Sequence, residues 1–231
     1  MQAAAHDPPH NPKAHRVHRL SVNPAPITTE PLLVRRLGMV PYGATLERMR
    51  EFTMKRDDST PDELWLLEHP PVYTVGIAGK SEHWPRVDNG IPVVRVDRGG
   101  QITYHGPGQL VAYLLLDLKR RGLTIRPLVR RMEQAVITLL ASYGIEANGD
   151  PDAPGVYVNG DKIAALGLRV KNGCCYHGLA LNVNVDLAPF HVINPCGYAG
   201  LRVTRTRDLG ITDRKSLIGM RLIQCIKKAL Q

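Results

Sequence analysis

Apolar residues fall along this chain in short blocks of strand length, set apart by proline, glycine and Asn-Gly pairs, with three longer stretches of helical period. Leu32-Leu33-Val34 reads as a short strand. Tyr42, Leu46, Met49 and Thr53 recur at i, i+4, i+7 and i+11 and predict a helix over 42–56, followed by a polar break from Asp57 to Asp62. Leu64 to Leu67 and Val72 to Val75 read as strands, and Pro70-Pro71 between them excludes a helix running through. Val93 to Val96 is another strand. A glycine-rich stretch from Arg98 to Gln109 reads as a loop, and the uninterrupted apolar run Leu110 to Leu116 as a buried central strand. The spacing predicts a helix over 125–143, with Pro127 in its first turn, an apolar stripe through Leu128, Met132, Val136 and Leu139, and Gly144 at its end. Asn159-Gly160 and Asn172-Gly173 separate strand-like runs at 155–158, 162–170 and 174–185, which predicts tight hairpins and an antiparallel meander. A final basic helix over 213–230 would bury Leu217, Met220 and Ile223, with Cys225 packed among them. Helices and strands do not alternate regularly, so the fold class is α+β, a mixed sheet with flanking helices.

Composition adds the outer limits. The 231 residues suit one domain from residue 31 onward, because Met1 to Glu30 holds four of the nine histidines and five of the eighteen prolines with few large apolar side chains, and reads as a disordered tail. Irregular spacing makes His6, His10, His15 and His18 a weak metal set. No apolar leader and no run of 18 apolar residues is present, so the expected location is the cytoplasm and no membrane partner is expected. The net charge of +9 sits mainly in two stretches: Lys119, Arg120, Arg121, Arg126, Arg130 and Arg131 without an acid, and residues 201–231, where eight positive side chains face two acids. Such faces attract acidic partners, either nucleic acid or an acidic protein, or are simply solvated. Aromatic residues make up only 5% and do not alternate with the basic runs, which argues against a stacking platform for nucleic acid.

Candidate chemistry concentrates at a few positions. The stretch from Arg98 to Gln109 carries four glycines and a proline, which bring backbone N–H groups close to a ligand. It lacks the third glycine of a dinucleotide motif, and Gly79-Lys80-Ser81 lacks the upstream glycine of a phosphate loop, where Thr74 stands. Cysteines 174, 175, 196 and 225 form no Cys-x-x-Cys, so neither a zinc site nor a disulfide frame is expected. Cys174 and Cys175 lie in a strand-like run and look structural. Cys196, between Pro195 and Gly197, sits on a turn that suits a nucleophile with free N–H groups beside it. Lys162 opens the apolar run Ile163 to Leu168, where a partly desolvated amine would favour a thiolate and accept a proton. His105 and His177 are alternative bases.

Five segments in order, Arg98 to Gln109, Ala153 to Val158, Lys162 to Gly167, His177 to Val183 and Asn194 to Gly197, closely resemble the lipoyl(octanoyl) transferase family, over about Leu32 to Leu209. The resemblance implies the fold of the biotin and lipoate protein ligases. It implies transfer of an octanoyl group from octanoyl-acyl carrier protein to a lysine of lipoyl domains, those of 2-oxoacid dehydrogenase E2 subunits and of the glycine cleavage H protein, with no cofactor. The cysteine matching Cys196 would carry the acyl group as a thioester and Lys162 would sit beside it. The matching residues Arg98, Gly99, Gly100, Gln101, Ile102, Thr103, Tyr104 and His105, then Ala165, Leu166 and Gly167, then Gly178, Leu179 and Ala180, would line the acyl pocket. Ala165 stands where the family often has serine, which removes a side-chain contact. An ATP-dependent lipoate or biotin ligase on the same fold, which would not need Cys196, and a basic nucleic-acid-binding module are the competing readings.

Overall fold

The computed structural model describes residues 31–194 and 200–231. The tail before residue 31, and Pro195 to Ala199 with Cys196 among them, lie outside the described residues. Among the described residues ten strands and three α-helices follow in mixed order: β1 (Leu32–Met39), α1 (Tyr42–Lys55), β2 (Asp62–Glu68), β3 (Val72–Val75), β4 (Val93–Arg95), β5 (Ile102–His105), β6 (Gln109–Asp117), α2 (Ile125–Ala141), β7 (Asn148–Gly149), β8 (Gly155–Val158), β9 (Asp161–Lys171), β10 (Cys174–Asn182) and α3 (Lys215–Ala229). Seven strands form one sheet in the order β1-β2-β6-β10-β9-β8-β7, and β4-β3-β5 form a second. β1 and β2 run parallel while β2, β6, β10, β9, β8 and β7 pair antiparallel, so the large sheet is mixed.

The Asn-Gly pairs turn as predicted. Asn159 and Asn172 have φ of 51° and 52° and are each followed by a glycine at positive φ, the backbone that a two-residue hairpin between twisted strands demands. β6, whose burial is continuous from Gln109 to Leu116, lies between β2 and β10. One face of the sheet packs on α2 and α3 through Leu64, Leu114, Leu128, Met132, Leu139, Leu222 and Ile226. The other packs on α1 through Met49, Trp65, Val111 and Leu115. Leu128, Met132, Val136 and Leu139 are all buried, as the stripe predicts.

Two expectations shift. Within the Arg98 to Gln109 stretch, Ile102 to His105 is a strand paired with β3, because Ile102 and Tyr104 are buried with Tyr73, Val75 and Phe190 in a third apolar cluster. In α3 the buried face runs through Ile218, Leu222, Ile223 and Ile226, whereas Leu217 is half-buried and Met220 is exposed. The helix is thus rotated from the predicted face, and Gly219 rests against Leu66 and Leu110 of the sheet. Cys225 packs at the margin of the core.

The basic run is also divided. Asp62 is fully buried and gathers Arg56 at 2.7 Å, Arg120 at 3.0 Å and Arg121, together with the Asp117 backbone N–H at 2.9 Å. Arg131 donates to the Ala229 carbonyl and ties α2 to the end of α3. Lys119, Arg126 and Arg130 remain exposed.

Candidate functional site

A cavity opens where the two sheets meet, between β5, β6, β9, β10 and the start of α1. Of the residues the sequence assigned to a pocket, Arg98, Gly100 to Thr103, His105, Ala165 to Gly167 and Gly178 to Ala180 line it, and its walls are mostly apolar. Gly99 and Tyr104 are not in its walls. The Gly99 N–H donates to the Leu168 carbonyl at 2.9 Å, joining the second sheet to β9, and the Tyr104 ring faces away, edge-on to Phe190 at 5.4 Å. Tyr42, Val111, Tyr113 and His177 complete the walls.

The glycines of these strands are required by close approach. A Cβ on Gly178 would lie 2.0 Å from the Ala112 carbonyl oxygen, and one on Gly167 would lie 3.2 Å from both the Arg98 side chain and the Gly99 carbonyl oxygen. The glycines therefore let β10 approach Ala112 of β6 and let β9 approach Arg98 and Gly99 closely.

Beneath the cavity a buried polar chain holds its walls in register. Arg98 donates to the Thr74 carbonyl at 2.7 Å and to Thr74 Oγ1 at 2.8 Å. Thr74 Oγ1 is 3.3 Å from His105 Nε2, and His105 Nδ1 is 2.7 Å from Gln109 Oε1. Gln109 Nε2 donates to the Tyr104 carbonyl and to Asn182 Oδ1, and Asn182 Nδ2 donates to the Thr204 carbonyl at 3.0 Å. Because the Gln109 amide donates with its nitrogen, its oxygen must accept from a protonated Nδ1, which assigns His105 as neutral with Nε2 accepting. Burial, reinforced by His69, lowers its pKa to about 3. Both ring nitrogens are engaged, so the geometry makes His105 a structural hub instead of a base.

His177 has a different role. It takes φ of 65°, rare for a residue other than glycine, and its ring stacks on Tyr176 at 5.0 Å. Neighbouring strand residues normally point to opposite faces; this bend lets both reach one carboxylate. Tyr176 Oη donates to Asp97 Oδ2 at 2.6 Å and His177 Nε2 lies 3.3 Å from Oδ1. The hydrogen bond from His177, with Tyr176 and Arg50, holds Asp97 far below the usual carboxylate range. Burial lowers His177 in spite of Asp97, so its imidazole is biased to the neutral form.

Lys162 lies at the other end of β9. It is 3% exposed, and its Nζ donates to the Pro154 carbonyl at 3.2 Å and sits 5.0 Å over the Tyr157 ring. A small crevice beside it shares the wall residues Thr103 and Ala165 with the apolar cavity, so these two side chains stand between the cavity and the lysine. The segment after Gly200 pairs with this lysine: the Lys162 N–H donates to the Arg202 carbonyl at 2.9 Å and the Thr204 N–H to the Lys162 carbonyl at 3.0 Å. Cys196 therefore lies outside the described residues but within six positions of a backbone contact of Lys162.

Burial raises the thiol pKa of Cys174, Cys175 and Cys225 alike. Cys174 and Cys175 lie in β10, and burial pushes the Cys175 thiol up to about 12, as the structural reading of this pair anticipates. Among the described residues no three His, Cys, Asp or Glu side chains are grouped to hold a metal, and no helix is long and apolar enough to cross a membrane.

Sequence reasoning missed Tyr42, Val111 and Tyr113, which read only as core positions. Only the structure sets Tyr42 apart: its hydroxyl is buried without a hydrogen-bond partner among the described residues, a cost that an ordinary core position avoids by using Phe.

With this geometry in hand, similarity to known proteins is specific. The family described as Lipoyl protein ligase A/B catalytic domain matches residues 41–215. A curated protein of Azoarcus sp. (strain BH72) named octanoyltransferase is 61% identical over 207 residues, covering 90% of this chain and 91% of that protein. A solved bi-partite lipoate protein ligase from Thermoplasma acidophilum superposes with a TM-score of 0.65 at 18% identity, covering 87% of this chain and 84% of that one. The biotin protein ligase of Aquifex aeolicus superposes with a TM-score of 0.51 at 14% identity over 86% of this chain and 68% of that one. The fold is thus that of the lipoate and biotin protein ligases.

Proposed function

Since the chain belongs to the lipoyl protein ligase A/B catalytic-domain family and is an acyltransferase like its octanoyltransferase relatives, we propose that it moves octanoyl from octanoyl-acyl carrier protein to a lipoyl-domain lysine through a thioester on Cys196. The observation that carries this reading is the apolar cavity whose wall residues Thr103 and Ala165 also line the crevice at the buried Lys162. Burying the octanoyl chain contributes about 0.8 kcal/mol per CH₂.

In the first half-reaction the Cys196 thiolate attacks the carrier thioester. The new C–S bond forms, the bond to the phosphopantetheine sulfur breaks, and the carrier thiol leaves with a proton donated by the Lys162 ammonium. In the second, the target lysine amine attacks the octanoyl thioester, a C–N bond forms, the Cys196 thiolate departs, and the proton of the attacking amine passes to Lys162. A thioester is already activated, so neither step requires ATP. Exposed Lys119, Arg126 and Arg130 favour encounter with acidic carrier and lipoyl domains, in the cytoplasm where both would be met.

The test is transfer to a lipoyl domain from octanoyl-acyl carrier protein without ATP, set beside transfer from free octanoate with ATP. Activity with the first donor alone, lost in Cys196→Ser, supports the proposal. Activity of Cys196→Ser with octanoate and ATP would support an adenylating ligase on this fold instead.

A further inference from the structure

We infer that Glu133 is a positioning residue for Lys162, acting through the one peptide group that joins Pro154 to Gly155. The inference rests on the reading that Lys162 handles the protons of transfer. The two ends of that peptide group are both engaged. Its N–H, on Gly155, donates to Glu133 Oε1 at 3.0 Å, and its carbonyl, on Pro154, accepts from Lys162 Nζ at 3.2 Å. A carboxylate at the N–H end polarises the amide so that its oxygen becomes a stronger acceptor, and hydrogen bonds in such a row strengthen one another in a low-dielectric interior. A negative charge on Glu133 thereby stabilises the ammonium form of Lys162 and fixes where its nitrogen sits.

Burial makes the arrangement consequential. Glu133 is 8% exposed on α2 and Lys162 is 3% exposed on β9, so solvent screens neither well. Gly155 lets the two meet, since a Cβ there would lie 2.8 Å from Lys162 Cε and 3.0 Å from Nζ. Gly149 performs the same service on the other side, where a Cβ would stand 3.1 Å from Glu133 Oε2. Burial raises the Glu133 pKa, against the Gly155 N–H and the charges of Lys162 and Arg130, while Asp150 acts with burial. Also near Lys162 are the Tyr157 ring beneath it and the Asp161–Arg202 ion pair at the start of β9. A buried glutamate on a helix otherwise lined with Leu128, Met132, Val136 and Leu139 serves no packing purpose that leucine would not serve better.

The experiment follows the Lys162 side chain directly, by its ¹³Cε NMR shift in protein carrying labelled lysine, the signal being assigned by its loss in Lys162→Arg. Glu133→Gln keeps an oxygen to accept from Gly155 and removes only the charge. The expected result is a Lys162 midpoint lowered by about one pH unit and kcat lowered about tenfold with KM for octanoyl-acyl carrier protein unchanged, both restored in part by Glu133→Asp. A Lys162 midpoint that stays in place in folded Glu133→Gln overturns the inference. If Glu133→Gln does not fold, the wild type decides. Its Lys162 signal should show a second inflection in the acid range as Glu133 takes its proton, and a single inflection refutes the coupling. A shifted midpoint together with full activity of Lys162→Met would leave the Glu133–Lys162 coupling standing while overturning the role of Lys162 in transfer.

Discussion

Replacing Gly155 by alanine perturbs the lysine from a position outside the cavity wall. The added Cβ would lie 2.8 Å from Lys162 Cε and 2.9 Å from the Ala164 carbonyl oxygen, where carbon atoms settle at about 3.5–4.0 Å. The lysine must therefore retreat by about 0.7 Å or more, and β8 must part from β9, to which Gly155 is paired at Ala165. Overpacking of this kind costs about 1–3 kcal/mol of stability. A reacting group displaced by about 1 Å costs about a hundredfold in rate. Steady-state transfer from octanoyl-acyl carrier protein to a lipoyl domain should show kcat lowered by about that factor, with KM for the donor little changed because Gly155 is not in the cavity wall. Gly122→Ala is the matched control. Its φ of 60° strains an alanine, but nothing lies within 4 Å of the added Cβ, so stability falls and kcat holds. A folded Gly155→Ala enzyme with wild-type kcat would refute the placement of Lys162 at the reacting centre.

Other outcomes follow from the same geometry. Shortening the acyl donor from octanoyl to hexanoyl removes two CH₂ groups, about 1.6 kcal/mol, so kcat/KM should fall about fifteenfold; equal rates would contradict burial of the chain. Gly178→Ala would place a Cβ 2.0 Å from the Ala112 carbonyl oxygen and should abolish folding or lower Tm sharply, measured by circular dichroism. Asp62→Ala strands Arg56 and Arg121 in the interior and should cost about 3–5 kcal/mol in urea unfolding. Burial alone would raise the Asp62 pKa, but the Asp117 N–H and the arginines hold it below the ordinary value. Its contribution is therefore complete above the unfolded value of about 4 and disappears as pH falls toward the depressed folded value, so wild-type stability should drop more steeply than that of Asp62→Asn below about pH 4. Charge reversal at Lys119, Arg126 and Arg130 together should raise KM for acyl carrier protein and flatten its salt dependence without lowering Tm, whereas Arg121→Glu should unfold the protein.

Much of this was legible before the structure. The Asn-Gly hairpins, the run Leu110 to Leu116 and the stripe of α2 are set by local rules of backbone and period, and they stand where the pattern puts them. What escaped depends on contacts distant in sequence. Ile102 to His105 is a strand because Tyr73 and Val75 lie beside it, which glycine content alone conceals. The face of α3 is chosen by the fit of Gly219 against Leu66 and Leu110. Arg120 and Arg121 read as surface charge because their partner, Asp62, is some 60 residues away, as the separations of 58 and 59 record. The pocket segments came from family resemblance, and Tyr42 and Tyr113 escaped because a tyrosine in an apolar stripe looks like core until its hydroxyl is traced.

The central claim is that Cys196 carries the acyl group. Intact-protein mass spectrometry of wild type and Cys196→Ser after mixing with octanoyl-acyl carrier protein tests it most directly. The wild type should gain one octanoyl adduct and the variant none, and the adduct should be lost to an added lipoyl domain without ATP. An unlabelled wild type, or a label that persists in Cys196→Ser, would contradict it.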